Sequence, residues 1–282
     1  MQNWDRTYKL IAAPPNGEGF TVGEESDPMP IRINFNIEKA DTETPNTSRI
    51  SLWNLSPKNI DVLNDKDCKI ILYAGYRDKV ELAFIGEVVF ATTLPDGADR
   101  ETKIEVSDGR LALRDTYVSL SYAGSINTRQ IISDTVAQMG IPLTISHNAE
   151  FCDYPNGFSF VGPARVAMDK GCDSTNLQWH IYNEIMCVKK SRDTLDREVY
   201  VLSSETGLVG IPKRIIYSED GYGVGEQPGW EVMYLLNAAI GISDFVKVVS
   251  REVTGFFRVK WVEMVGDNHQ GDWKCTAKLI YV

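Results

Sequence analysis

Three histidines, His147, His180 and His269, are the first residues to weigh for chemistry in this chain. His147 and Cys152 make the nearest approach to a metal pair, but a closed tetrahedral site needs two more ligands from elsewhere. His180 follows Trp179 in a run that reads as helical, where a packed or surface role is the simpler account. Asp267, His269 and Asp272 form an acidic loop able to bind a cation or to serve a hydrolase. A solvated hairpin turn explains the same residues. Gly221-Tyr222-Gly223-Val224-Gly225 has the glycines of a phosphate loop but no Gly-Lys-Ser/Thr, and strand and helix do not clearly flank it. Neither Gly-x-Ser-x-Gly nor a Cys/His partnership occurs, and Asp108-Gly109 reads as a turn. The six tryptophans, Trp4, Trp53, Trp179, Trp230, Trp261 and Trp273, are spaced as sheet core rather than as a sugar-stacking row. The expectation is no catalytic, cofactor-binding or metal-ligating residue, no cofactor, and no enzyme.

The elements that would have to position such residues are mostly strands. Ile31 to Lys39 alternates cleanly, with Ile31, Ile33, Phe35 and Ile37 on one face and Arg32, Asn34, Asn36 and Glu38 on the other. Further strands are expected at Thr7–Ala12, Ser48–Leu55, Lys69–Tyr76, Glu81–Phe90 and Thr102–Ser107. A short helix begins after them at Ser56-Pro57, with Ser56 as cap and Pro57 at the first helical position. In the last third, Phe257, Val259 and Trp261 form a large apolar face opposite Arg258, Lys260 and Val262. Trp273, Cys275, Ala277 and Leu279 alternate in the same way with Lys274, Thr276 and Lys278.

Between these β-rich ends the character changes. Ile131, Ile132, Thr135, Val136 and Met139 fall at helical spacing and stop at Gly140, with Pro142 beyond. A second helix is expected over Arg165–Lys170 and a third over Ser174–Ile181, then strands at Ile185–Lys189, Glu198–Ser203 and Ile211–Tyr217. Asp220 to Pro228 reads as a glycine-rich link. No repeat or low-complexity tract stands out. The fold class is mainly β (α+β): two small β-barrels, residues 1–112 and 205–282, with a mixed α/β subdomain at 113–204 between them.

Composition agrees with a packed globular protein: 282 residues, 43% hydrophobic and 24% charged. The net charge of −10 disfavours a protein built to grip nucleic-acid phosphates, though not one that lets DNA slip past. No apolar run is long enough for a bilayer, and no secretory signal opens the chain, so no membrane partner and cytoplasmic synthesis are expected. The five cysteines, Cys68, Cys152, Cys172, Cys187 and Cys275, read as reduced small hydrophobes.

Two regions carry a resemblance. From Phe35-Asn36-Ile37 the chain runs through Pro45-Asn46-Thr47-Ser48-Arg49-Ile50, Trp53-Asn54-Leu55-Ser56, Tyr73-Ala74-Gly75-Tyr76, Phe84-Ile85-Gly86-Glu87-Val88 and Val106-Ser107-Asp108-Gly109. Near its end it has Leu235-Leu236-Asn237, Gly255-Phe256-Phe257-Arg258-Val259, Gly266-Asp267 and Gly271-Asp272-Trp273. In order and spacing these are similar to the hub proteins of phage tail baseplates. Asn237-Ala238 and Ile242-Ser243 stand where that family has Asn-Pro and Pro-Gly, and Val265 where it has a histidine.

The resemblance implies two tail-tube-like barrels related to each other, and a homotrimer whose ring of six barrels adapts a hexameric tail tube to a trimeric central spike. It implies as partners the central spike protein, the tail tube protein, and the tape measure and other baseplate proteins. DNA would be only a passing cargo, and the location would be the virion tail baseplate, assembled in the host cytoplasm. The rival readings are a β-rich binding module for a host surface glycan or another tail protein, and a tail-associated cell-wall hydrolase.

Overall fold

The computed structural model describes residues 5–23, 30–43, 45–77, 79–190, 193–195, 199–218 and 226–282. The first part of the chain is strand built on alternation. β1 (Arg6–Ala13), β2 (Phe20–Val22), β3 (Ile33–Ala40) and β4 (Thr47–Trp53) lead to helix α1 (Pro57–Asn64). β5 (Lys69–Tyr76), β6 (Lys79–Asp96) and β7 (Asp99–Ser107) follow. In β3, Ile33, Phe35 and Ile37 are buried while Asn36 and Glu38 are exposed. Ser56 caps α1 by accepting the Asn59 N–H, with Pro57 opening the helix.

The middle of the chain holds α2 (Arg110–Arg114), β8 (Tyr117–Tyr122), β9 (Ile126–Asn127), α3 (Thr128–Met139) and β10 (Leu143–Ile145). It continues with β11 (Asp153–Tyr154), β12 (Phe158–Pro163), α4 (Ala164–Asp173), β13 (Leu177–Tyr182) and β14 (Ile185–Lys190). Helix α3 starts at the Asn127 side chain, which accepts the Arg129 N–H, and stops at Gly140 in the left-handed region at φ 71°. Its buried Ile131, Ile132, Val136 and Met139 share a core with Ala164, Ala167 and Met168 of α4. The helices come close at Gly171, where a Cβ would lie 2.8 Å from Ile132.

The helix expected over Ser174–Ile181 is instead a turn and the strand β13. Asn176 takes a left-handed conformation (φ 55°), which ends helical winding, and residues 177–182 pair antiparallel with β14. All of β13 except Gln178 is buried, so no polar alternation distinguished strand from helix. His180 is wholly buried there, opposite Cys187.

The last part contains β15 (Val199–Ser203), β16 (Leu208–Tyr217), β17 (Gln227–Leu235), β18 (Phe245–Val249), β19 (Thr254–Asp267) and β20 (Trp273–Tyr281). The glycine-rich link expected at Asp220–Pro228 lies largely outside the described residues, and its last two, Gln227 and Pro228, already belong to β17.

The chain divides into two compact units. One comprises Met1–Asp41, Asn46–Ser107 and Arg197–Val282; the other comprises Thr42–Pro45 and Asp108–Asp196. Both β-rich stretches enter one 13-stranded sheet of order β16-β17-β20-β19-β3-β4-β7-β6-β5-β1-β2, with β18 on β19 and β15 on β18. The fold is thus mainly β.

This order contains a strand repeat that no residue pattern showed, although the resemblance implied two related barrels. In the first half, neighbours run β3-β4-β7-β6-β5-β1; in the second they run β16-β17-β20-β19-β18-β15. Chain order is preserved throughout, from β1 as counterpart of β15 to β7 as counterpart of β20. Only the outermost pairing differs in direction: β1 is antiparallel to β5, and β15 is parallel to β18. The repeat extends to irregularities. Both β6 and β19 slip register by one residue against their neighbours, between Val88 and Phe90 and between Val259 and Trp261.

That slip corrects the expected faces of β19. A one-residue bulge moves every later side chain to the opposite face. Phe257 and Val259 are buried as expected, but beyond the bulge Val262 and Met264 take the core and Trp261 is only half-buried. Arg258 and Lys260, expected on a wet face, are buried as well.

Candidate functional site

The residues singled out for chemistry do not converge. Asp267 ends β19 and accepts three hydrogen bonds: Oδ2 takes Arg32 at 2.8 Å, and Oδ1 takes the N–H groups of His269 and Gln270 at 2.8 and 3.0 Å. Burial opposes the Asp267 charge, but Arg32 and the two amides outweigh it and hold the carboxyl below its usual pKa. Asp272 pairs with Lys274 at 2.8 Å. The loop is a hairpin turn organised by an aspartate. Cys152 turns to Ser174, with Sγ 3.9 Å from its carbonyl oxygen, and His147 is exposed. Among the described residues, no three of His, Cys, Asp or Glu gather as a metal-binding group. Gly221–Gly225 lie outside the described residues.

Asp108 does structural work that sequence reading missed. Its buried carboxylate accepts the N–H groups of Asn183 (2.6 Å) and Glu184 (2.9 Å). Those two residues form the turn between β13 and β14 and both have positive φ, 50° and 60°. A turn of this kind favours Asn-Gly, and here the carboxylate compensates for the glutamate at its second position. The available signal was an aspartate before Gly109, which is too common to be specific.

The most distinctive polar arrangement is the junction of the two half-sheets. β3 and β19 pair antiparallel from Trp261 opposite Ala40 to Asp267 opposite Asn34. Just beyond Ala40, the Asp41 carboxylate accepts Arg258 Nη1 at 3.1 Å and Lys260 Nζ at 3.4 Å, and all three side chains are at most 2% exposed. The Asp41 N–H closes the crossing on the Lys260 carbonyl at 3.1 Å. On the wetter face Trp261 donates to Glu38 and Asn36 to Glu263, at 2.7 and 2.9 Å. Gly266 lies opposite Phe35, whose ring occupies the space of a missing Cβ and meets Trp273 edge-on at 5.3 Å.

The surface of this unit also carries a groove and several exposed apolar side chains. A groove of about 640 Å³ lies between Ala74–Arg77, Val199–Leu202 and Tyr234–Ile240, walled mainly by apolar side chains and strand backbone. Next to Val199 and Val201 on β15, Phe245 and Phe256 stack at 5.4 Å with Lys247 over the Phe256 ring. Val89, Phe90 and Leu94 of β6 are exposed, as are Val209, Ile211 and Ile216 of β16.

This is the fold of phage tail proteins. No protein-family model matches the sequence, and no curated protein matches it. Among solved structures, the chain is similar to the 43 kDa tail protein of prophage MuSo2 from Shewanella oneidensis, with TM-score 0.66 at 8% identity, over 98% of this chain and 97% of that one. It is similar to a tail protein from Neisseria meningitidis MC58, with TM-score 0.62 at 10% identity, over 97% and 96% of the two chains. A third is the Escherichia coli c3393 protein, a component of the type VI secretion system described as similar to T4 phage tail proteins gp27 and gp5. That match has TM-score 0.63 at 9% identity and covers 92% of this chain and 76% of that one.

Proposed function

We propose that this chain is a structural hub protein of a phage or phage-derived tail baseplate, and not an enzyme. Three copies form a ring of six related barrel domains, one from each six-strand repeat, with Asp108–Asp196 as the inserted subdomain. The ring adapts a hexameric tail tube to a trimeric central spike and lets DNA through. Its neighbours are the tube, the spike, the tape measure and other baseplate proteins, within a virion tail assembled in the host cytoplasm. The observation that carries this reading is the likeness over nearly the whole length of both chains to the MuSo2 tail protein. The internal repeat supports it, since a doubled chain with three copies presents six similar faces to one neighbour and three to another. With net charge −10 per chain, such a ring has a formal charge of 3 × (−10) = −30, suited to a bore that does not retain DNA.

Light scattering on the purified chain, alone and with a co-expressed spike candidate, tests it. The expected mass in one of the two samples is that of a trimer, 3 × 31.6 kDa or about 95 kDa. A monomer with every tail partner offered overturns the hub reading. The stacked Phe245 and Phe256 beside exposed Val199 and Val201 favour a second reading, a module that binds another tail protein through this face.

A further inference from the structure

We propose that the outer edge of β6, residues 90–96, pairs with the outer edge of β16, residues 211–217, of a second copy of this chain. The inference rests on the ring reading above and names the seam of that ring.

The internal repeat carries the argument. The second part of β19 has β20 on one side and β3 on the other. Its counterpart, the second part of β6, has β7 on one side, and among the described residues its other edge takes no ladder partner. The counterpart of β3 is β16, which pairs with β17 and, among the described residues, with no other strand. The chain therefore makes the crossing once internally and presents both halves of a second one. An edge that cannot meet its own counterpart within one molecule can meet it in the next. Because the two edges differ, the contact is head-to-tail and propagates into a ring where the rotation closes.

The register follows from the two bulges. Phe90 is the counterpart of Trp261, which makes Thr92 that of Glu263 and Leu94 that of Val265. On the other strand, Asn36 pairs with Arg49, and Arg49 with Glu105; Lys213 pairs with Glu231, and Glu231 with Lys278. Lys213 is thus the counterpart of Asn36, and Ile215 that of Glu38. Within the chain Glu263 faces Glu38 and Val265 faces Asn36. Across the seam Thr92 faces Ile215 and Leu94 faces Lys213.

Burial and composition support the same strands. Among the described residues, six of the fifteen exposed large apolar side chains lie on them: Val89, Phe90, Leu94, Val209, Ile211 and Ile216, of which Ile211 and Ile216 are 72% and 69% exposed. At the internal junction the counterparts of Phe90 and Leu94, Trp261 and Val265, are half-buried beside β3. Between Glu87 and Asp96, β6 carries no charge, leaving its edge without the lysines that normally keep such edges apart. Pro95 and the bulge at Pro212 fall toward the same end of the pairing, where a missing N–H would end the ladder.

A cysteine pair tests the seam. The full chain with Thr92→Cys and Ile215→Cys, mildly oxidised, should give disulfide-linked oligomers on a non-reducing gel. Each single variant and the unaltered chain should not, while mixing the two single variants should give linked dimers. An oligomer by light scattering with no linkage overturns this seam and leaves the ring standing. A monomer at every concentration overturns both. Linkage to a co-expressed tail protein instead of a second copy also overturns it. As a second arm, Leu94→Lys should weaken association about fivefold per seam by placing like charges opposite each other, and adding Lys213→Glu should restore it. Failure of that restoration in a folded double variant counts against the register.

Discussion

At β3 and β19 the molecule covers its own strand edges, and at β6 and β16 the equivalent edges are open among the described residues. The sequences of the two places differ as their surroundings do. The covered crossing is locked by the buried Asp41, Arg258 and Lys260, with Val262 and Met264 in the core. The open edges carry Phe90, Leu94, Ile211 and Ile216 at the surface, with alanine and threonines where the covered strand has valine, glutamate and methionine. A covered junction can hold buried ions because each charge has a fixed counter-charge within hydrogen-bond reach. An edge that must stay soluble before it meets a partner cannot carry that arrangement.

The comparison breaks most severely at Asp41. Asp41→Ala leaves Arg258 and Lys260 buried without this carboxylate and should cost about 3–5 kcal/mol of stability in urea unfolding. A cost under 1 kcal/mol would mean that the junction is not locked there. Asp108→Ala tests a lock of the other kind, on a turn rather than a strand crossing. One buried and one half-buried N–H group lose their acceptor, and a loss of about 2 kcal/mol is expected, with hydrogen exchange rising first at Asn183 and Glu184. The open edges should behave oppositely. Phe90→Ser and Ile216→Ser should change the stability of the single chain by no more than about 0.5 kcal/mol, while lowering its association.

A pH titration sharpens the picture at the far end of β19. The Asp267 carboxyl has a lowered pKa in the folded state, so it binds its proton less readily than in the unfolded chain. Its contribution to stability is present above the unfolded pKa and is lost as pH falls through the folded one. Asp267→Asn should therefore flatten the fall in stability below about pH 4. The smallest expected effect concerns thiols. Burial pushes Cys68 up to about 11 and Cys172 and Cys275 up to about 12, so a thiol reagent at neutral pH should modify Cys152 first. Labelling of Cys275 at a similar rate would show that the sheet opens around β20.

Much of the fold was legible because local chemistry was unambiguous. Ile33, Phe35 and Ile37 alternate with polar residues, Ser56-Pro57 starts a helix and Gly140 stops one, and each does so in the structure. Legibility failed where burial was two-sided or register slipped. β13 is apolar on both faces, so its period was hidden, and one inserted residue at Lys260 reversed the faces of Trp261, Val262 and Met264. Asp41 and Arg258 are 217 residues apart, and their pairing has no local signature.

What the sequence by itself determined is the set of elements: strand periods, helix caps and turn residues. Those depend on interactions a few residues long. Which strands become neighbours was decided only by the tertiary structure, and with it the repeat of six strands, the ion cluster at its internal crossing and the pair of edges left open. The reason is physical. Backbone ladders join any two strands of suitable pattern without regard to side-chain identity, so topology can be duplicated while the residues that fill it diverge.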